Sequence, residues 1–145
     1  MLFRSYQKLL LLDPPDPAEV HFHLAQLCRA EAPDQAKRHE PRVGETFDFE
    51  DTRKDAECTD TVGIFLRVDV EQRVRFRVTL GPQVQTLTRA MAVILCTGLE
   101  GATVEEVLAL PADFVPRIVG AQLVRIRSQT VYYVLMRMKE ACARA

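Results

Sequence analysis

With 145 residues, the chain is long enough to bury a core in one domain without metals or disulfides. Its residues are 48% hydrophobic and 27% charged, and 19 Lys and Arg balance 20 Asp and Glu to a net charge of -1, so no bulk pull toward nucleic acid or acidic membranes is expected. The uncharged apolar stretch Ala90 to Leu99 is half of a membrane span, and the apolar run Leu9 to Leu12 is too short for a secretory signal.

In chain order, residues 3–12 read as a first helix ended by Pro14-Pro15. Asp16-Pro17-Ala18-Glu19 is a capping box that opens a second helix, running to about Ala30 with Val20, Leu24, Leu27 and Cys28 on one face. Residues 34–45 are polar and basic, a short helical turn and a loop. Thr46-Phe47-Asp48-Phe49-Glu50 alternates and predicts a short edge strand near 46–50. Residues 51–60 are charge-dense with few apolar anchors and are expected to be the weakest-ordered segment.

The clearest signal follows. Val62, Ile64, Leu66 and Val68 alternate through 61–69, and Val74, Phe76, Val78 and Leu80 through 73–80, which predicts an antiparallel hairpin with one buried face. A helix over about 83–99 carries no charge from Ala90 onward and should be buried on most sides. Thr103-Val104-Glu105-Glu106 is another capping box, opening a short helix to Ala109 before Pro111. Residues 112–119 read as one more short helical turn, and 128–143 as a final helix packing Val131, Val134, Leu135, Met138 and Cys142. Helices and a hairpin in blocks, rather than alternating units, give the class α+β: a small antiparallel sheet, hairpin 61–80 plus the strand near 46–50, packed against several helices.

Four cysteines without a Cys-x-x-Cys pair or zinc-like spacing point to free thiols and a reducing compartment, cytoplasm or an organelle matrix. Cys28, Cys96 and Cys142 fall on apolar helix faces. Cys58 instead lies in the polar run Asp55-Ala56-Glu57-Cys58-Thr59-Asp60, so it is the thiol whose chemistry can matter. His21 and His23, two apart on a helix, face different ways and do not chelate one ion, and His39 lies in a basic loop. Arg67, Arg73, Arg75 and Arg77 stripe one sheet face. With Asp69 and Glu71 nearby and no aromatic platform beyond Phe65, the stripe reads as a solvated face rather than a nucleic-acid surface.

Three stretches, in order and at compatible spacing, resemble the SufE family of sulfur-acceptor proteins. Cys58-Thr59-Asp60-Thr61-Val62 stands where that family has Cys-Gln-Ser-Gln-Val. Gly101-Ala102-Thr103-Val104-Glu105-Glu106-Val107-Leu108-Ala109 looks like its Gly-Lys-Thr-Pro-Glu-Glu-Ile-Leu-Ala. Leu123-Val124-Arg125-Ile126-Arg127-Ser128-Gln129 is similar to its Leu-Ser-Pro-Ser-Arg-Ser-Asn. The resemblance runs through residues 58–141 of a single domain spanning 1–145, with Tyr6-Gln7-Lys8-Leu9-Leu10 echoing the first helix and no account of the rest of the N-terminal 45 residues. Glu57, Gly63 and Leu80-Gly81-Pro82 depart from the family pattern, which marks a divergent member.

The resemblance implies an accessory protein that takes persulfide sulfur from a PLP-dependent cysteine desulfurase and stimulates it, for iron–sulfur cluster assembly. PLP would belong to the partner, and this chain would need no cofactor of its own. Cys58 would be the acceptor and Arg127, near the start of the last helix, the cation that stabilises the thiolate or persulfide. Asp55, Glu57 and Asp60 work against thiolate formation, while Arg53 and Lys54 offset them. Against these stand plainer readings, in which Cys58 is an inert surface thiol and Arg127 a partner of Glu105, Glu106 or Asp113. Two further functions compete. One is an iron–sulfur scaffold of the related IscU/NifU type, for which Cys58-Thr59-Asp60 echoes a ligand pair but Gln85 and Arg127 occupy the other cysteine positions. The other is a non-catalytic desulfurase-binding module.

Overall fold

The computed structural model describes residues 33–56, 58–110 and 131–145. Within them lie α1 (Pro33–Lys37), β1 (Phe49–Arg53), β2 (Val62–Val68), β3 (Val74–Leu80), α2 (Thr86–Leu99), α3 (Val104–Ala109) and α4 (Val131–Arg144). The helices expected at 3–12, 16–30 and 112–119 lie outside the described residues, as do Cys28, His21, His23 and Arg127.

The three strands form one antiparallel sheet in the order β1-β2-β3. In the hairpin, Val62 faces Leu80, Ile64 faces Val78, Leu66 faces Phe76 and Val68 faces Val74, so the alternating apolar residues pair across the strands on a single face. That face is buried: Ile64, Leu66 and Val78 are fully enclosed. Against it lie Ala90, Met91, Leu95 and Leu99 of α2 and Val134, Leu135, Met138 and Ala141 of α4. An α+β sheet-and-helix packing results, as the alternation and the uncharged helix require. The expected capping box is present on α3: the Thr103 hydroxyl accepts from the Glu106 amide at 3.1 Å, and the Thr103 amide donates to the Glu106 carboxylate at 3.2 Å.

The third strand is displaced from its expected place. It spans Phe49–Arg53 rather than 46–50, pairing Phe49 with Leu66 and Arg53 with Val62. Two contacts explain the start. The Asp48 amide donates to Leu66 O at 2.8 Å, while the Asp48 carboxylate accepts from the Val68 amide at 2.7 Å, ending the pairing there. Phe47 turns to the other face, with its ring 5.3 Å from that of Phe65, whereas Phe49 packs against the core. The charge-dense residues 51–53 are therefore ordered strand, not the weakest segment. Their charges are absorbed by partners on α4, which sequence spacing does not display.

Candidate functional site

Cys58 sits in the connection between β1 and β2, directly above the end of the sheet where α2 begins. Its amide donates to Asp55 O at 3.1 Å, closing a tight turn. Both sides of that turn are held. On the far side the Asp60 carboxylate accepts from the Thr61 and Gln83 amides at 2.7 and 2.8 Å, and the Thr59 hydroxyl donates to Gln83 O. These amide bonds keep Asp60 ionised below the usual carboxylate range. A depressed carboxylate stabilises the fold above its unfolded pKa, so this tie loosens only as pH falls through that lowered value.

Gly81 makes the Asp60 arrangement possible. A Cβ there would collide with the Asp60 carboxylate. Gly81→Ala is expected to expel Asp60 from its two amides and to raise the alkylation rate of Cys58 severalfold. Cys96 and Cys142 should stay unreacted, and site-resolved mass spectrometry would show whether they do.

On the near side, the Asp55 carboxylate accepts from Arg53 Nε at 3.0 Å and from Arg137 Nη1 at 3.2 Å. Arg137 comes from α4 and is the largest fully buried side chain among the described residues, 1% exposed. Besides Asp55, Nη1 donates to Val62 O at 2.7 Å, and Nη2 donates to Asp51 O and to the Asp51 carboxylate. Its Nε has no acceptor among the described residues. One guanidinium thus joins the end of β1, the start of β2 and the base of the cysteine turn.

Cys58 itself is half-buried, and Cys96 and Cys142 are buried. Burial pushes the Cys58 thiol above its ordinary value, and the Asp55 carboxylate adds to this. The Arg137 guanidinium, a backbone hydrogen bond from Asp55 and the charge of Lys54 pull it back in part. A crevice of about 10 Å³ lies between Cys58, Thr59, Asp60, Val62, Val84, Gln85 and Thr88, room for roughly one water-sized atom. The N-terminus of α2 borders it. Gln85 occupies the N-cap without a side-chain cap hydrogen bond and the first turn has no acidic residue, while the Asp60 carboxylate sits just ahead of it on the Gln83 amide. Burial and the Asp55 carboxylate on one side, and the Arg137 guanidinium and Lys54 on the other, therefore compete over one sulfur. In Cys96 and Cys142 burial dominates and pushes the thiols up to about 12 and about 11.

The sequence singled out Cys58, and it is the least enclosed of the described cysteines. Arg127 lies outside the described residues. Two guanidiniums reach the cysteine turn through Asp55: that of Arg53, which the sequence reading named, and the buried one of Arg137, which it did not single out. The arginine stripe is balanced, but not mainly by the residues expected. Arg75 pairs with Glu100 at 2.9 Å, Arg77, which is buried rather than solvated, with Glu45 at 3.3 Å, and only Arg73 with Glu71, at 3.5 Å. Among the described residues no three His, Cys, Asp or Glu side chains are grouped to hold a metal ion, and no helix is long and apolar enough to cross a membrane.

Comparison with protein families decides the relationship. The family model described as "SufE: Fe-S metabolism associated domain" matches residues 32–142. The chain belongs to the SufE family. Membership associates it with Fe–S metabolism, and the match begins well before the motifs at 58–141. Among solved structures, the SufE chain is similar to the solution structure of a hypothetical protein from Thermus thermophilus. The two share 21% identity and a TM-score of 0.61, over 97% of this chain and 93% of the other, a likeness of fold. Comparison with curated proteins gives no match.

Proposed function

We propose that this SufE-family chain is a sulfur acceptor, receiving persulfide sulfur on Cys58 from a PLP-dependent cysteine desulfurase for iron–sulfur cluster assembly. The observation that carries this reading is the placement of Cys58 in a turn at the rim of the sheet, while the other described thiols are sealed in the core. In the transfer, the Cys58 thiolate attacks the terminal sulfur of the donor's cysteine persulfide. A new S–S bond forms to Cys58, the old one breaks, and the donor cysteine leaves as its thiolate. One sulfane sulfur moves at constant oxidation state, so no oxidant is consumed. The proton lost by Cys58 beforehand goes to solvent.

The raised thiol means that only a small fraction of Cys58 is ionised at neutral pH in the resting turn. Uptake should therefore accelerate as pH rises toward the ordinary thiol range and beyond. Arg127 is proposed to stabilise the thiolate or persulfide. Arg127→Ala is expected to slow uptake severalfold with a stability change of no more than about 0.5 kcal/mol, as measured by single-turnover sulfur transfer beside chemical denaturation. A strongly destabilised but fully active variant would remove Arg127 from the site.

The deciding experiment incubates the protein with a cysteine desulfurase and free cysteine, then measures its mass. A gain of one sulfur that disappears in Cys58→Ser supports the acceptor. Colour after reconstitution with iron and sulfide, without a sulfur gain, would replace it with a cluster scaffold.

A further inference from the structure

The cysteine turn is fastened to the helical layer through one buried cation. We infer that Arg137 is a positioning residue for Cys58, acting through the Asp55 carboxylate: it holds the turn down on α4, and the thiol moves outward only when that link parts. This rests on the sulfur-acceptor reading only in taking Cys58 as the thiol that matters.

The geometry carries the inference. The Asp55 carbonyl accepts from the Cys58 amide, and the Asp55 carboxylate accepts from Arg137 Nη1, so two hydrogen bonds in series connect the thiol-bearing residue to the middle of α4. The Asp55 side chain is 8% exposed and that of Arg137 1%, so water competes poorly for their contact. Arg53 holds the same carboxylate, but it is 44% exposed and reaches α4 only through Glu140 at 3.3 Å. Arg137 is thus the interior part of the fastening and Arg53 the solvent-side part.

Among the described residues, the charged groups around the turn are few. Asp51 and Arg53 come from β1, Lys54, Asp55 and Asp60 from the connection, and Arg137 and Glu140 from α4. The crevice face of α2, Gln85 and Thr88, contributes none. Asp51 also meets Arg137 and Arg53, but it has no bond to the turn itself, which makes it the natural control.

The test is the pH profile of Cys58 alkylation by iodoacetamide in the full chain, read residue by residue with mass spectrometry. It needs no desulfurase, so its failure is separate from failure of the sulfur-acceptor reading. A charge-assisted hydrogen bond in a sheltered site holds a segment closed by a factor of about ten. Asp55→Ala should therefore raise the high-pH plateau rate about tenfold and shift the midpoint downward, since the carboxylate that opposes the thiolate is gone. Arg137→Lys keeps the charge but loses the fork that spans its acceptors, and should raise the plateau severalfold with a smaller midpoint shift. Asp51→Asn should leave the plateau as in the unsubstituted protein. In all three variants Cys96 and Cys142 should stay unreacted, which separates release of the turn from general loosening. Unchanged plateaus in both Asp55→Ala and Arg137→Lys would overturn the inference. So would an equal rise in Asp51→Asn, or reaction of Cys96 at the same rate as Cys58.

Discussion

Substituting Arg137 with methionine is expected to lower the unfolding free energy by about 3–5 kcal/mol. Methionine fills much of the aliphatic volume, so cavity formation is a minor part of the effect. The cost comes from what is left behind. Val62 O and Asp51 O lose a sheltered donor, and the Asp55 carboxylate, 8% exposed, keeps only Arg53. An acceptor stranded without its donor costs more than the bond contributed, because its solvation has already been given up. Urea denaturation followed by circular dichroism measures the loss, since the chain has no tryptophan to report it. A drop below about 1 kcal/mol would mean that water reaches these groups readily, contrary to their burial. Replacing Asp55 by alanine in the same protein should recover part of the loss, because one of the stranded groups is then gone.

Cys58→Ser is expected to reduce sulfur acceptance to background while leaving stability within about 1 kcal/mol of the parent protein. Serine is nearly isosteric, and its position is half-buried, so packing barely changes. What changes is nucleophilicity: a hydroxyl does not supply the anion that attacks a persulfide sulfur. Neither described neighbour can substitute. Cys96 and Cys142 are enclosed, and burial holds their thiols protonated far beyond neutral pH. Sulfur found on either of them, or undiminished uptake by Cys58→Ser, would remove the proposed acceptor. Mapping the modified peptide decides between those outcomes and includes Cys28, which lies outside the described residues.

Much of the architecture could be read from the sequence because its signals are local. The alternation Val62-Ile64-Leu66-Val68 answers to Val74-Phe76-Val78-Leu80 with a period of two, and that period dictates both the hairpin and its buried face. Thr103 and Glu106 complete their capping box within four residues. The edge strand was displaced because its limits depend on Asp48 bonding to Leu66 and Val68, contacts that bridge distant positions. Arg137 was hidden for a similar reason. A charged residue in an amphipathic helix is ordinarily solvated, and its acceptors on β1, β2 and the turn lie far away in sequence. Yet a signal was present. Position 137 follows Val134 by three and precedes Ala141 by four, which places it on the same inward stripe as both. An arginine on that stripe demands buried acceptors, and the charge-dense run from Asp51 to Asp55 was the available source.

The Nε–H of Arg137 has no acceptor among the described residues, whereas its two terminal nitrogens meet four oxygens. Grip at this corner therefore comes from the two terminal nitrogens. Introducing a hydroxyl or carbonyl within reach of Nε would harden this corner of the molecule. The resulting variant would show how far the reactivity of Cys58 follows the grip on that corner.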